Sequence, residues 1–492
     1  MMKANRNAAG LEELATGRLD RLLLRYSWPA LVAMTLNALY AVVDRVFIGH
    51  GCGVDAMAGL QLAMPVVMLF GAFGVFVGAG HSAILSIKLG EGDHVACEKL
   101  LGQLVAFKLA FFVVLPPLVF FNLDTVLSWC GADKATPAAF DAAKTYLRLV
   151  LFSNVFSHLA FGLSAMLRAE GGALRSMTCM IVGFGTNLAL DPLFIFGLRL
   201  PWADVALPGM GIAGAAWATN IAMFLSCLWA FGFYLRGKTV VKLHACRIRF
   251  YRAFAGRAAA LGLAPFLQQA MSTLIIASLQ LAFARWMPDE ETRTAEFASL
   301  GVFCGALVLV FMPILGCQQG LQPIFGFNWG ARNFRRVFGA MKLGLGVTTF
   351  LTLFAFTVQV VPPFPTLVAR MFISGDSPGI VALAAHDLAL ANCMIWCISL
   401  NVLATTYFQS IGKPAVSIVL SMLRQGVVLL PMVWILPHFL EDKALAVWLS
   451  MPVSDVVCQL ATVPPLLMHA RFLRKVRTRR ELRPRSGLDS GA

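Results

Sequence analysis

Two aspartates interrupt apolar runs long enough to cross a bilayer, and oxygen-bearing side chains recur beside them. Asp191 lies about 17 residues into the run Leu174–Phe196, roughly 25 Å along a helix rising 1.5 Å per residue. Asn187 precedes it by one helical turn, on the same face. Asp44 falls near the end of the run Leu22–Ile48, one turn beyond Tyr40. Thr219, in the next run Gly209–Leu235, reaches a similar depth from the same side. A carboxylate in hydrocarbon costs at least about 2.5–3.5 kcal/mol, so its presence points to function by default. Two carboxylates with amide, hydroxyl and phenol oxygens suit a proton or a hard monovalent cation. Asp44, Asp191, Asn187, Thr219 and Tyr40 are therefore expected to serve ion coupling, with Na+ as one candidate ion at Asp44, Asn187, Asp191 and Thr219. Plainer readings stand beside this one. Asp44 would be a solvated helix-end residue paired with Arg45, and Asp191 a satisfied aspartate at a kink made by Pro192, whose ring removes a helical hydrogen bond.

A second constellation lies further on. Arg424 is about nine residues into Ala415–Leu436, and Asp455 about ten residues into Leu445–Met468, which runs the other way. Both fall near mid-membrane, and the two are predicted to pair, because one unpaired buried charge costs far more than a pair. The pair reads either as a structural tie between neighbouring helices or as part of the coupling. The sequence contains no GxxxxGK[ST], HExxH, GxSxG or CxxC pattern. The eleven cysteines, mostly inside apolar runs, read as reduced, small hydrophobes, and His81 and His158 as packing residues. No enzymatic activity and no cofactor beyond the coupling ion is expected.

The elements that must position these residues are membrane helices. Hydrophobic residues make up 59% of the 492 and charged residues only 13%. Soluble domains average about 25% charged residues, so lipid must be the solvent for most of the surface. The apolar runs are continuous rather than alternating, which excludes a β-barrel. Six runs fill the first half: Leu22–Ile48, Gly59–Ile87, Leu100–Asn122, Thr145–Leu167, Leu174–Phe196 and Gly209–Leu235. Six more follow: Arg257–Trp286, Ala298–Phe325, Val337–Val361, Leu388–Ile411, Ala415–Leu436 and Leu445–Met468.

The net charge of +15 is not spread evenly. Lysines and arginines crowd the N-terminal segment, the stretch Arg236–Arg257, the loop around Arg332–Arg336 and the tail Arg471–Arg485. The alternate loops hold only Lys134, Lys144, Arg199, Arg285, Arg293, Arg370 and Lys443. This asymmetry predicts a multi-pass protein of the cell (inner) membrane with both termini cytoplasmic. The excess charge is thus a topology signal, with some attraction to anionic membrane lipids, rather than a sign of nucleic-acid binding.

The chain also repeats. Gly78-Ala-Gly80 followed by Lys88-Leu-Gly90 recurs as Gly316 through Gly320 followed by Asn328-Trp-Gly330. Leu167-Arg-Ala-Glu-Gly171 and Ser176 recur at nearly the same offset as Phe408-Gln-Ser-Ile-Gly412 and Ser417. The expected fold is all-α, with twelve transmembrane helices in two six-helix bundles related by this repeat. Its parts are 1–235, a linker 236–256, a second bundle 257–470 and a basic tail 471–492. Parallel repeated halves with a cavity between them are a common transporter design.

These residues carry a resemblance. The chain resembles the multidrug and toxic compound extrusion (MATE) family, in its bacterial branch. The resemblance rests on Asn37-Ala-Leu-Tyr40-Ala-Val-Val-Asp44-Arg-Val-Phe-Ile-Gly49, Met166-Leu-Arg168-Ala-Glu170-Gly171 and Asn187-Leu-Ala-Leu-Asp191-Pro192. Gly211-Ile-Ala-Gly-Ala-Ala-Trp217-Ala-Thr219, Gln409-Ser-Ile-Gly412-Lys413 and Ser421-Met-Leu-Arg424-Gln425 complete it. It implies two bundles around an outward-facing cavity and H+- or Na+-driven export of bulky organic cations, here expected from a monomer. Phe161 and Ser164 stand where the family often has asparagines, and Gln268, Gln269 and Gln280 replace the acidic residue that some members carry in helix 7. The acidic chemistry is thus expected in the first half only, since Asp44 and Asp191 have no carboxylate at the repeat-related positions. The alternative is a lipid-linked oligosaccharide flippase of related fold. Such a protein wants several inward-facing basic residues, whereas the mid-membrane basics are chiefly Arg424.

Overall fold

The computed structural model describes residues 10–130, 136–200, 205–287, 289–373 and 378–481. Much of the basic tail, and Lys134 among the loop residues, lie outside the described residues. In lipid a backbone must satisfy its polar groups within its own segment, so each apolar run becomes a helix. The spans are α1 (Leu19–Gly49), α2 (Asp55–Glu91), α3 (His94–Phe121), α4 (Pro137–Ala169), α5 (Ala173–Phe196) and α6 (Ile212–Leu235). Those of the second half are α7 (Arg252–Trp286), α8 (Glu290–Gly330), α9 (Phe334–Val360), α10 (Pro378–Ser410), α11 (Pro414–His438) and α12 (Lys443–Lys475). Eleven are long and apolar enough to cross a membrane as single helices, and α4, bent by 52° between Leu151 and Ser153, makes the twelfth.

Several local features depart from uniform helix. Gly53, at φ +82°, breaks the chain between α1 and α2, a conformation in which a Cβ would be strained. A two-stranded hairpin, β1 (Gly197–Leu200) antiparallel to β2 (Val205–Pro208), joins α5 to α6 and is the one exception to the all-α expectation among the described residues. Residues Leu423–Leu429 of α11 wind as π-helix and include Arg424. Such widened turns are frequent at functional positions.

The repeat is built into the backbone. Left-handed Gly92 precedes Asp93, whose side chain caps α3 by accepting from Ala96 N at 3.0 Å. At the related place, left-handed Arg332 precedes Asn333, which caps α9 by accepting from Arg336 N at 3.4 Å. Further along, Ser164 Oγ lies 3.2 Å from Ser176 O, and Ser417 Oγ 3.2 Å from Thr405 O. Gly171 and Gly412 make the related turns with positive φ.

The halves meet on the side where the termini lie. A Cβ on Gly90 would come within 2.0 Å of Phe327 O, and one on Gly330 within 2.0 Å of Ile87 O. These contacts are the same contact exchanged by the pseudo-two-fold axis. Gly80 lies as tightly against Ala258 O, and Gly262 against Phe76 O. Gln322 Nε2 donates to Ser82 Oγ at 3.0 Å, and Arg336 donates to Gly17 O at 2.7 Å. Among the described residues, the hydrogen bonds that cross between the halves run from this face to about mid-membrane.

The linker is strapped to the first half. Glu170 Oε2, buried at the end of α4, accepts from Val240 N and Val241 N at 3.0 Å each. Arg175 donates to Lys238 O, Arg247 pairs with Glu98, and Gln103 Nε2 donates to Tyr251 O at 3.2 Å. Helix α7 starts at Arg252, inside the stretch 236–256 expected as linker.

Two outcomes follow from this packing. Gly90→Ala or Gly330→Ala forces backbone apart where nothing flexible can yield, and should lower stability by about 1–3 kcal/mol. Thermal unfolding in detergent measures it, and an unchanged midpoint would contradict the contact. Burial pushes the Glu170 carboxyl up from 4.5 to about 7, outweighing its backbone donors and Arg175. The folded protein therefore holds this proton more tightly than the unfolded chain, so its share of stability declines as pH rises from 4.5 to about 7. Unfolding midpoints across that range should fall with pH in the parent and fall less in Glu170→Gln.

Candidate functional site

Helices α1, α5 and α6 bring the five expected residues together near the face opposite the termini. The spacing of Asn187 and Asp191 on α5 puts both on one face, and Asn187 Nδ2 donates to Asp191 Oδ1 at 3.2 Å. The same amide lies 3.3 Å from Thr219 Oγ1 on α6. From α1, the Asp44 carboxyl faces that of Asp191 within interacting range, and Tyr40 reaches Thr219 with its hydroxyl. The Tyr40 ring stacks on Phe184 of α5, centroids 5.4 Å apart, which fixes its direction. Asn187 and Asp191 are 0% and 1% exposed. Asp44 is buried as well and forms no ion pair with exposed Arg45, so it is not a solvated helix end. Nor is Asp191 fully satisfied. Asp44 Oδ1, Asp191 Oδ2 and Asn187 Oδ1 are buried without hydrogen-bond partners. Facing carboxylates repel unless a proton or cation lies between them. Three orphaned acceptors around such a pair are what that guest would satisfy, and the donor set fits either H+ or Na+. Tyr146 of α4 is a further member that the sequence reading did not single out. It is buried within electrostatic reach of Tyr40, Asp44 and Asp191.

In the second half Arg424 Nε donates to Asp455 Oδ1 at 2.7 Å. Asp455 is fully buried and the guanidinium also lies 5.9 Å from the Phe311 ring centroid. The widened turn of α11 directs Arg424 at α12, where Ser454 Oγ also donates to the Arg424 carbonyl at 2.6 Å.

Two expectations need correction. The second half does contain buried carboxylates beyond Asp455: Glu296 on α8 and Asp387 on α10, 2% and 4% exposed. Both fell just outside the expected spans, because α8 starts at Glu290 rather than near Ala298, and α10 at Pro378 rather than near Leu388. Arg424 is also not the chief mid-membrane basic residue. Lys108, about 14 residues into α3, is 2% exposed and donates to Gly74 O at 3.2 Å. A lysine inside the run Leu104-Val-Ala-Phe-Lys108-Leu-Ala-Phe-Phe112 was itself the signal. It is sealed inside the first bundle against Gly162 and Gly74, not displayed toward a cavity. His81 and His158 are buried nearby, His81 bonded to Val77 O at 2.8 Å and His158 packed on Phe111, as their packing role requires.

The MatE family model matches residues 29–193 and 267–435, one segment in each half. The chain belongs to the MatE family. Curated relatives include a multidrug export protein MepA of Staphylococcus haemolyticus, 22% identical over 89% of this chain and 90% of its own. Another MepA, from Staphylococcus aureus strain MRSA252, is 23% identical over 90% of this chain and 92% of its own. Among solved structures, an outward-facing multidrug resistance MATE family transporter superposes with a TM-score of 0.83 at 22% identity, over 94% of this chain and 98% of that one. The MATE multidrug transporter DinF-BH in complex with R6G gives 0.80 at 29% identity, over 92% and 96%. This MATE chain is thus a multi-pass membrane protein of twelve helices in two bundles.

For the Arg424–Asp455 contact, Arg424→Ala or Asp455→Ala leaves one buried charge unpaired and should cost about 3–5 kcal/mol. The exchange Arg424→Asp with Asp455→Arg should regain part of that in thermal unfolding. A double variant no more stable than the single ones would show that the two side chains do not act on each other.

Proposed function

We propose that this MATE protein exports bulky, often cationic drugs across the cytoplasmic membrane in exchange for H+ or Na+ bound between Asp44 and Asp191. The observation that carries the reading is the pair of facing, buried carboxyls with three oxygen acceptors left without partners. The basic loops support cytoplasmic termini, which turns the carboxylate site toward the outside, where the driving ion enters. The names of the staphylococcal relatives support drugs as the cargo.

The coupling follows from electrostatics. With no guest, repulsion between Asp44 and Asp191 holds α1 and α5 apart at this level. A proton or Na+ removes that repulsion and lets the oxygens of Asn187 and Thr219 close on the site. Pro192, which follows Asp191 and lacks a helical N–H, concentrates bending where the charge changes. Movement of α1 and α5 alters the wall they present to a cavity between the bundles and expels the drug. Charge in the site and drug in the cavity then exclude each other, which is the requirement for exchange. The flippase alternative wants cationic groups lining a cavity, and buried Lys108 does not supply one.

Efflux of a fluorescent organic cation from energised vesicles, with the pH and Na+ gradients imposed separately, is the test. One of the two gradients, imposed alone, should drive efflux, and Asp191→Asn should abolish it at unchanged expression. Undiminished efflux by Asp191→Asn would remove the site from the mechanism.

A further inference from the structure

The chain between α9 and α10 holds a short helix, Phe364–Phe372, on the face opposite the termini. Its nine residues have three sides. Pro365, Val368 and Ala369 are buried against the second bundle. Phe364, Leu367 and Met371, at i, i+3 and i+7, form an exposed apolar stripe. Thr366 and Arg370, four residues apart, make the third side. A helix with an apolar stripe beside a polar one lies in the membrane–water interface, the stripe toward lipid. Phe350, Phe354 and Val361 form a matching exposed stripe that leads along the end of α9 to this helix.

A cavity of about 670 Å³ lies between this helix, the end of α9 and the start of α10. Its long wall is one face of α10, where Val381, Ala382, Ala385 and Ala389 leave a trough. Two groups in the lining are basic, Arg370 and His386, and no carboxylate lines it among the described residues. Arg370 forms no ion pair among those residues either. The His386 side chain is 67% exposed, and its Nδ1 lies 3.3 Å from Asp387 Oδ1, which leaves Nε2 for a guest. Asp387 itself is buried and faces Ser299. The apolar run of α10 begins near Leu388, so His386 stands at the edge of the hydrocarbon, where headgroups lie.

We infer that this cavity binds the headgroup of an anionic phospholipid from the leaflet opposite the termini. A guanidinium can give a phosphate two parallel hydrogen bonds, which is the part Arg370 plays. A doubly protonated His386 donates to Asp387 from Nδ1 and to the phosphate from Nε2. The glycerol rests on the alanines of α10, and the acyl chains leave along the exposed stripes of the short helix and α9. Those stripes decide between a lipid and a soluble anion, because a free phosphate gains nothing from apolar walls. The basic lining decides against a cationic drug, which Arg370 repels. The site shares no residue with Asp44 and Asp191 and does not depend on their role.

The test uses the purified full-length protein in detergent with sub-saturating phosphatidylglycerol that carries a diazirine near the glycerol end of one acyl chain. Irradiation followed by peptide mass spectrometry locates the adducts. They are expected within 360–389. Arg370→Ala should lower their yield about tenfold, the worth of one charge-assisted hydrogen bond. His386→Ala should lower it too, while adducts on the basic segment 236–256 stay as they are. Both side chains are exposed, so thermal unfolding of the variants should match the parent. No adduct within 360–389, or a yield indifferent to both substitutions, overturns the proposal. Unlabelled phosphatidylglycerol should displace the probe. Equal displacement by inorganic phosphate would make the cavity a soluble-anion site, and displacement by a fluorescent organic cation would make it a cargo pocket. Either result overturns the proposal.

Discussion

Backbone touches backbone where α2 meets α8, at Gly90 and Gly330, and the arrangement of the rest depends on that contact. Without a Cβ on either residue, two helices approach until each carbonyl fills the space a side chain would occupy. Lipid supplies no hydrophobic drive to hold helices together, so small residues and close packing must do it. The contact is duplicated by the repeat and lies on the side of the termini. The bundles are pinned there, and their polar clusters lie toward the other side.

Those clusters use one physical device twice with different parts. In the first bundle, Asp44 and Asp191 face each other beside Asn187, Thr219 and Tyr40. In the second, Glu296 accepts from Trp448, and Asp387 lies beside Ser299 and His386. The pairs are not repeat-related. Tyr146, beside the first pair, stands at the position that Asp387 occupies in the second half, by the offset that relates Gly171 to Gly412. Arg424 and Asp455 differ from both, because opposite charges there satisfy each other and leave no vacancy for a guest.

What could be read in advance depended on contrast. Asp44, Asp191, Arg424 and Asp455 stood out because a charge inside an apolar run is costly and calls for a partner or a function. Lys108 is as conspicuous, a lone charge inside an apolar run, but it belongs to no loop and adds nothing to the charge asymmetry. Glu296 and Asp387 were hidden for a physical reason. They lie within the first turns of their helices, and Glu296 follows Asp289, Glu290 and Glu291, where acidic residues ordinarily cap a helix in water. Packing against segments far along the chain, with Trp448 over Glu296, is what buries them.

The amino-acid sequence by itself determined the number of helices, their membrane setting and their duplication, because hydropathy and charge asymmetry act locally and need no partner. It also determined which face of α5 carries Asn187 and Asp191, since helical periodicity alone does that. The tertiary structure decided which oxygens remain unsatisfied. It brought Asp44 to Asp191 and Glu296 to Asp387, enclosed Lys108 in a bundle rather than a cavity, and bent α4 so that Tyr146 reaches the first pair. Burial and hydrogen-bond satisfaction are properties of contacts between segments distant in the chain, and no single segment specifies them.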